Sequence, residues 1–184
     1  MPDFSPLDWA IALLIAQAIL GALDTLYHHE LTVALPYRHS ARLELSIHSL
    51  RSCFYGILFL GIAHLAFEGT WAIVIALLFA LEIGLTLWDF VVEDRSRKLP
   101  PIERIMHTVL AVNGGAFFAL YGVQLAQWAS LPTGLSAIDL GWRGWLLTLF
   151  AIGVTALVAG APWAWRRRAD LRARLRPTRA GIAP

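Results

Sequence analysis

Five runs of predominantly apolar residues follow one another along the chain, each broken from the next by turn residues. A helix needs ~20 apolar residues to cross a bilayer. The runs at about Leu7 to Leu31, Ala41 to Phe67, Thr70 to Asp94, Pro101 to Ala129 and Trp142 to Trp165 all reach that length. Leu35-Pro36, Gly69, Leu99-Pro100-Pro101 and Pro132-Thr133-Gly134 supply the breaks, because Gly and Pro favour conformations that end helices. The pattern predicts an all-α integral membrane protein with five transmembrane helices in a single transmembrane domain over 1–184, ending in a basic tail at 166–184.

Composition strengthens this reading. Of the 184 residues 58% are hydrophobic and 15% charged, with a mean hydropathy of +0.61, whereas soluble domains carry ~25% charged residues. Intrinsic disorder is excluded by the same numbers, and no length remains for a sizeable soluble domain. The single cysteine, Cys53, can form neither an internal disulfide nor a cysteine-based zinc site. Met1 to Leu7 lacks Lys and Arg, so the first run is expected to stay in the membrane and not act as a cleavable leader.

The net charge of +2 matters less than its placement. Arg38 and Arg42 lie between the first two runs, Arg95, Arg97, Lys98 and Arg104 between the third and fourth, and seven arginines follow Trp165. Cytoplasmic loops carry the excess of Lys and Arg, so these segments are expected inside and the N-terminus outside, as in a bacterial inner membrane. Trp142 and Trp145 at one end of the fifth run, and Trp163 and Trp165 at the other, suit interfacial anchoring. The arginine tail is a topology determinant able to touch anionic lipid.

Ionisable residues inside a membrane are costly and mark function or pairing. Here they repeat a pattern. Asp24 and His28, Glu44 and His48, and Glu103 and His107 are each a carboxylate followed four residues later by histidine, which puts both on one helix face. The third helix adds Glu82, Thr86, Asp89 and Glu93 in one stripe. Counting ~1.5 Å per residue from the cytoplasmic ends, Asp24, His28, Glu44, His48, Asp89, Glu103 and His107 all fall within roughly 3 to 10 Å of that face, with Glu93 at its lip. Carboxylates and histidines projecting inward from four helices are how bundles build two-metal sites. The expected site is therefore two divalent ions, iron first and zinc or manganese also fitting, inside a bundle of the first four helices.

The remaining polar residues have simpler readings. Arg51 and Glu82, at ~15 and ~18 Å depth by the same rise, are expected to pair, with Glu82 as a ligand the alternative. His29 is a reserve ligand, His39 lies in a loop, and His64 is expected to be an isolated interfacial histidine that could ligate haem only with a partner. Gly84, Gly114 and Gly115 allow close packing or leave space above the cluster.

The pattern is analogous to the di-iron carboxylate bundles, but those use Glu-x-x-His, whereas here the spacing is Asp/Glu-x3-His and occurs three times. The histidine boxes of membrane desaturases, a Gly-x-Ser-x-Gly nucleophile and a His-Glu-x-x-His motif are all missing from the chain. The leading expectation is a metal-dependent oxidoreductase acting on a lipid or other hydrophobic small molecule near the cytoplasmic face. In it Glu93 ligates or relays protons, Tyr55 (or Tyr27) takes part in electron or proton transfer, and a separate electron donor is required. A di-zinc or di-manganese membrane hydrolase is the alternative, followed by a divalent-metal transporter, buffer or sensor, and then a b-type cytochrome. Nothing points to nucleic acid.

The orientation is directly testable. Because 13 of the 15 basic residues fall in segments assigned inside, reporter fusions in the Pro36 and Pro100 loops and at the C-terminus should all read as cytoplasmic. A periplasmic signal from either loop overturns both the orientation and the common depth of the cluster.

Overall fold

The computed structural model describes residues 5–27, 42–96 and 98–156, apart from the side chains at 42, 44, 45 and 96. Helix α1 (Pro6–Leu23) starts where Ser5 and Asp8 cap each other, the Ser5 hydroxyl accepting from the Asp8 backbone N–H and the Asp8 carboxylate from that of Ser5. Pro6 suits the first turn because the N–H it lacks would have no helical partner there. Helix α2 covers Arg42–His64, α3 Thr70–Ser96, α4 Pro101–Trp128 and α5 Trp142–Ala156. Four of these five, α1 to α4, are long and apolar enough to cross a membrane.

Two expected boundaries move. The first run was expected to be helical to Leu31, but regular α geometry ends at Leu23 and residues 24–27 form a π-helical turn; residues 28–31 lie outside the described residues. The second run was expected to continue to Phe67. Instead α2 stops at His64, and β1 (Leu65–Glu68) pairs antiparallel with β2 (Gly134–Ala137), in register from Leu65↔Ala137 to Glu68↔Gly134. Leu-Ala-Phe prolongs the apolar run, so hydropathy alone could not mark this change. The ribbon closes one end of the bundle, and its partner strand follows the Pro132-Thr133-Gly134 turn. The expected end of the fifth helix at Trp165, and the tail, fall outside the described residues.

Helix α1 packs along α4, α3 bridges α2 and α4, and α5 lies beside α2. Each contact uses one stripe of alternating three- and four-residue steps. On α3 it runs Ala72, Ile75, Phe79, Glu82, Asp89, Glu93, and on α4 Glu103, His107, Gly114, Phe117, Tyr121, Leu125. The half nearer the ribbon is apolar and aromatic: Phe79 meets Phe117, Phe118 and Tyr121 with ring centroids 4.8 to 5.7 Å apart. The other half is ionisable. Gln17 and Asn113 join across α1 and α4 at the boundary, the Asn113 amide donating to Gln17 Oε1 at 2.7 Å. Gly114 packs beside this pair, where an added Cβ would meet the Gln17 amide at 3.5 Å, an ordinary contact.

Side-chain ties hold the ribbon end together. Arg143 donates to Asp8 at 2.8 Å, linking α5 to the start of α1. His64 is not isolated, as the sequence suggested: its Nε2 lies 2.8 Å from the Thr148 hydroxyl and its ring meets the edge of Trp145. It fastens α2 to α5.

Gly69 and Gly141 offer a matched test of the ribbon turn. Both have φ of +57°, but a Cβ on Gly69 would fall 2.6 Å from the Thr133 hydroxyl while one on Gly141 meets nothing within 4 Å. Left-handed backbone costs an L-residue about 1–2 kcal/mol. Gly141→Ala should therefore lower thermal stability by about that amount and Gly69→Ala by clearly more, measured by thermal denaturation in detergent.

Candidate metal centre

The polar ends of α1 to α4 converge on α3. Glu82 (0% exposed), Asp89 (2%) and Glu93 (1%) project from its core stripe at intervals of two turns and one, and Glu103 (0%) lies in the first turn of α4. These are positions that leucine or phenylalanine would occupy in an apolar bundle. Buried carboxylates persist only where cations or donors compensate them.

Two groups of donors result. His48, Asp89 and Glu93 each place a ligand-type atom within 4.8 Å of the others, and so do Glu93, Glu103 and His107. Glu93 belongs to both. The sequence put it at the lip of the site, yet it is the residue on which the two groups meet. His48 Nε2 lies 3.5 Å from Asp89 and 3.8 Å from Glu93. His107 spans two carboxylates: Nδ1 is 3.1 Å from Glu93 and Nε2 is 3.2 Å from Asp24. Phe90 stacks over the His107 ring, 6.4 Å away and 15° from parallel.

Asp24 is the first residue of the π turn. Such turns often sit at functional sites, since the extra residue re-aims a side chain. Here the aim is at His107, across the α1–α4 contact, and Asp24 belongs to neither three-residue group.

Arg51 ties the centre to the rest of the bundle. Its Nε donates to Glu82 Oε1 at 2.8 Å, the pairing expected from their matched depth. Its Nη1 also donates to Asp89 Oδ2 at 2.9 Å, a contact not anticipated. The guanidinium thus holds one oxygen of Asp89, while Oδ1 of the same carboxylate has no hydrogen-bond partner among the described residues. Thr86 donates to Glu82 at 3.4 Å.

Of the expected site residues, the structure assembles Asp24, His48, Asp89, Glu93, Glu103 and His107. His28, the reserve His29 and His39 lie outside the described residues, as does the side chain of Glu44. Tyr55 stands one turn beyond Arg51, packed against Phe59, with Gln17 and Arg51 as polar neighbours. It adjoins the centre through Arg51 and is not part of either donor group. Gln17 and Asn113 went unnoticed in the sequence because they carry no charge. Their signal was position, since Gln17 lies seven residues before Asp24, two turns along the same face.

The donor set is nitrogen and oxygen only, which suits hard to intermediate divalent ions. No protein-family model, curated protein or solved structure matches this chain.

The Arg51 network makes a graded prediction. In metal-depleted protein, Arg51→Met leaves two buried carboxylates without their guanidinium and should cost at least the ~3–5 kcal/mol typical of breaking one buried pair. Adding Glu82→Met should restore only part of the loss, because Asp89 remains, and adding Asp89→Asn should restore more. Full recovery in the first double variant, read by chemical denaturation in detergent, would show that Asp89 does not depend on Arg51.

Proposed function

We propose that this chain is a membrane-embedded di-metal oxidoreductase, with iron the first-choice metal, acting on a lipid or other membrane-soluble substrate near the cytoplasmic face. One observation carries the reading: two nitrogen-and-oxygen donor groups share a single buried carboxylate, Glu93. A carboxylate has two oxygens and can serve two cations at once. His48 and Asp89 would hold one ion and Glu103 and His107 the other, with Glu93 between them.

The surrounding residues support that use. Arg51 occupies Asp89 Oδ2 and leaves Oδ1 for a cation. Asp24, by accepting from His107 Nε2, fixes the tautomer in which Nδ1 is the ligand, a common arrangement around metal-bound histidine. When bound, paired redox metals supply electron-transfer and oxygen-activating chemistry that the side chains lack. Tyr55, next to Arg51, stands where a proton or electron could pass toward the bundle interior. Neither a haem-attachment nor a reductase motif occurs in the chain, so electrons come from a separate donor.

The membrane assignment rests on four apolar helices of spanning length and on their outward faces, where Ile57, Leu77, Ile102 and Val112 are each about two-thirds exposed. Soluble proteins rarely leave such contiguous apolar surface in water.

Metal analysis and an optical spectrum on protein purified in mild detergent test the reading. Two metals per chain are expected. His48→Ala and Glu103→Gln should each remove one, Glu93→Gln should weaken both, and His64→Ala should remove none. Asp24→Asn should lower affinity by roughly 10–100-fold while leaving the stoichiometry intact, as loss of a supporting hydrogen bond does. One metal in the unaltered protein, or two retained in Glu93→Gln, would overturn the shared-carboxylate centre. Colourless protein loaded with zinc would favour the hydrolase.

A further inference from the structure

Beside the metal centre the surfaces of α3 and α4 part into a crevice. A hollow of about 420 Å³ has Glu93, His107 and Phe90 at its base and Arg95 and Arg104 at its mouth. A second hollow of about 610 Å³ continues from it over the outer face of α4, past Lys98, Ile105 and Val109. Leu99, Arg104 and Thr108 line both, so the two form one groove.

The chemistry of the groove is divided. Among the described residues its rim carries three exposed cations, Arg95, Lys98 and Arg104, against one exposed acid, Asp94. Arg104 and Asp94 approach to only 3.8 Å and both are mostly solvent-exposed, so this pair holds the guanidinium weakly. The walls running away from the rim are apolar, and the Thr108 hydroxyl is turned back onto its own helix, donating to the Arg104 carbonyl at 2.9 Å. Ile105 and Val109 belong to the outward face of α4 that the membrane reading gives to lipid.

We propose that this groove binds an anionic amphiphile, its phosphate or carboxylate held by Arg95, Lys98 and Arg104 and its chain lying along Ile105 and Val109. The assignment deepens the function proposed above and rests on its membrane placement. It narrows the substrate class from any membrane-soluble molecule to one with an anionic headgroup and an alkyl chain. The headgroup held at Arg104 and Arg95 then sits at the mouth of the hollow whose lining includes Phe90 and His107. Arg104 is the principal anchor because it lines both hollows, and Arg95 supports it from α3.

Equilibrium binding of dodecyl phosphate to the full chain in phosphatidylcholine nanodiscs tests the proposal, with the protein taken both metal-loaded and metal-depleted. Saturable binding of one dodecyl phosphate per chain is expected, at least tenfold tighter than dodecylphosphocholine or inorganic phosphate. Arg104→Gln should weaken it about tenfold, Arg95→Gln should weaken it less, and Arg143→Gln, at the ribbon end, should not change it. A diazirine on the dodecyl chain should label α4 around Ile105 and Val109. Equal binding of inorganic phosphate would reduce the groove to a simple anion site, and non-saturable uptake or an unaffected Arg104→Gln would reduce it to general attraction of lipid; each overturns the proposal. Because binding is read without metal as well, the two proposals fail separately. Two metals per chain with no amphiphile bound sinks this one alone, and amphiphile bound with no metal sinks only the di-metal reading.

Discussion

Five buried carboxylates, Asp24, Glu82, Asp89, Glu93 and Glu103, lie in the same half of the bundle, and their burial is the constraint that the rest of the bundle answers. Among the described residues the cations facing them are Arg51 and, when protonated, His48 and His107. Burying this much acid is costly unless cations or hydrogen-bond donors compensate it, and Arg51 does so for Glu82 and Asp89. His48, Asp89, Glu93, Glu103 and His107 are also placed so that they could hold metal ions, which bind carboxylates and neutral imidazoles.

Such a cluster needs rigid support, and the opposite half of the bundle is built to give it. The Phe79, Phe117, Phe118 and Tyr121 cluster, the β ribbon, the Asp8–Arg143 pair and the His64–Thr148 contact all lie toward the ribbon end. None of them touches the donor groups. Packing and sheet pairing fix the helices relative to one another there, and the same stripes, continued toward the other end, deliver the ionisable residues already aimed at one another. Gln17 and Asn113 mark where one regime passes to the other, the Asn113 amide donating to Gln17 Oε1 and to the Leu13 carbonyl.

Spacing made the helices and most of the centre legible in the sequence. A carboxylate four residues before a histidine, repeated on separate helices, pointed to a shared inward face; Glu103 and His107 share a donor group and Asp24 and His48 reach the same carboxylate-rich region, while His28 and the Glu44 side chain lie outside the described residues. Pairing of Arg51 with Glu82 followed from depth alone. What spacing could not supply was lateral position. Glu93 looks peripheral when counted along α3, because rise locates a residue along the axis and says nothing of how far the neighbouring helix leans over it. The second contact of Arg51, to Asp89, was hidden for the same reason. The ribbon was illegible because its strand residues Leu65, Ala66 and Phe67 are as apolar as the helix before them. Only Gly69 hinted at a turn, and the position of β2 some 65 residues later is a long-range fact.

The two donor groups are not equivalent, and the difference follows from Arg51. At the first, the guanidinium already compensates Asp89, and His48 keeps a quarter of its side chain exposed. A cation there would gain less from the local charge and lie nearer water. At the second, Glu103 is fully buried, Glu93 and Asp24 flank opposite nitrogens of His107, and Phe90 stacks on the ring. Glu93 thus joins one donor group that Arg51 compensates and that lies closer to solvent to another enclosed by acidic side chains, and the same stripe of α3 supplies both.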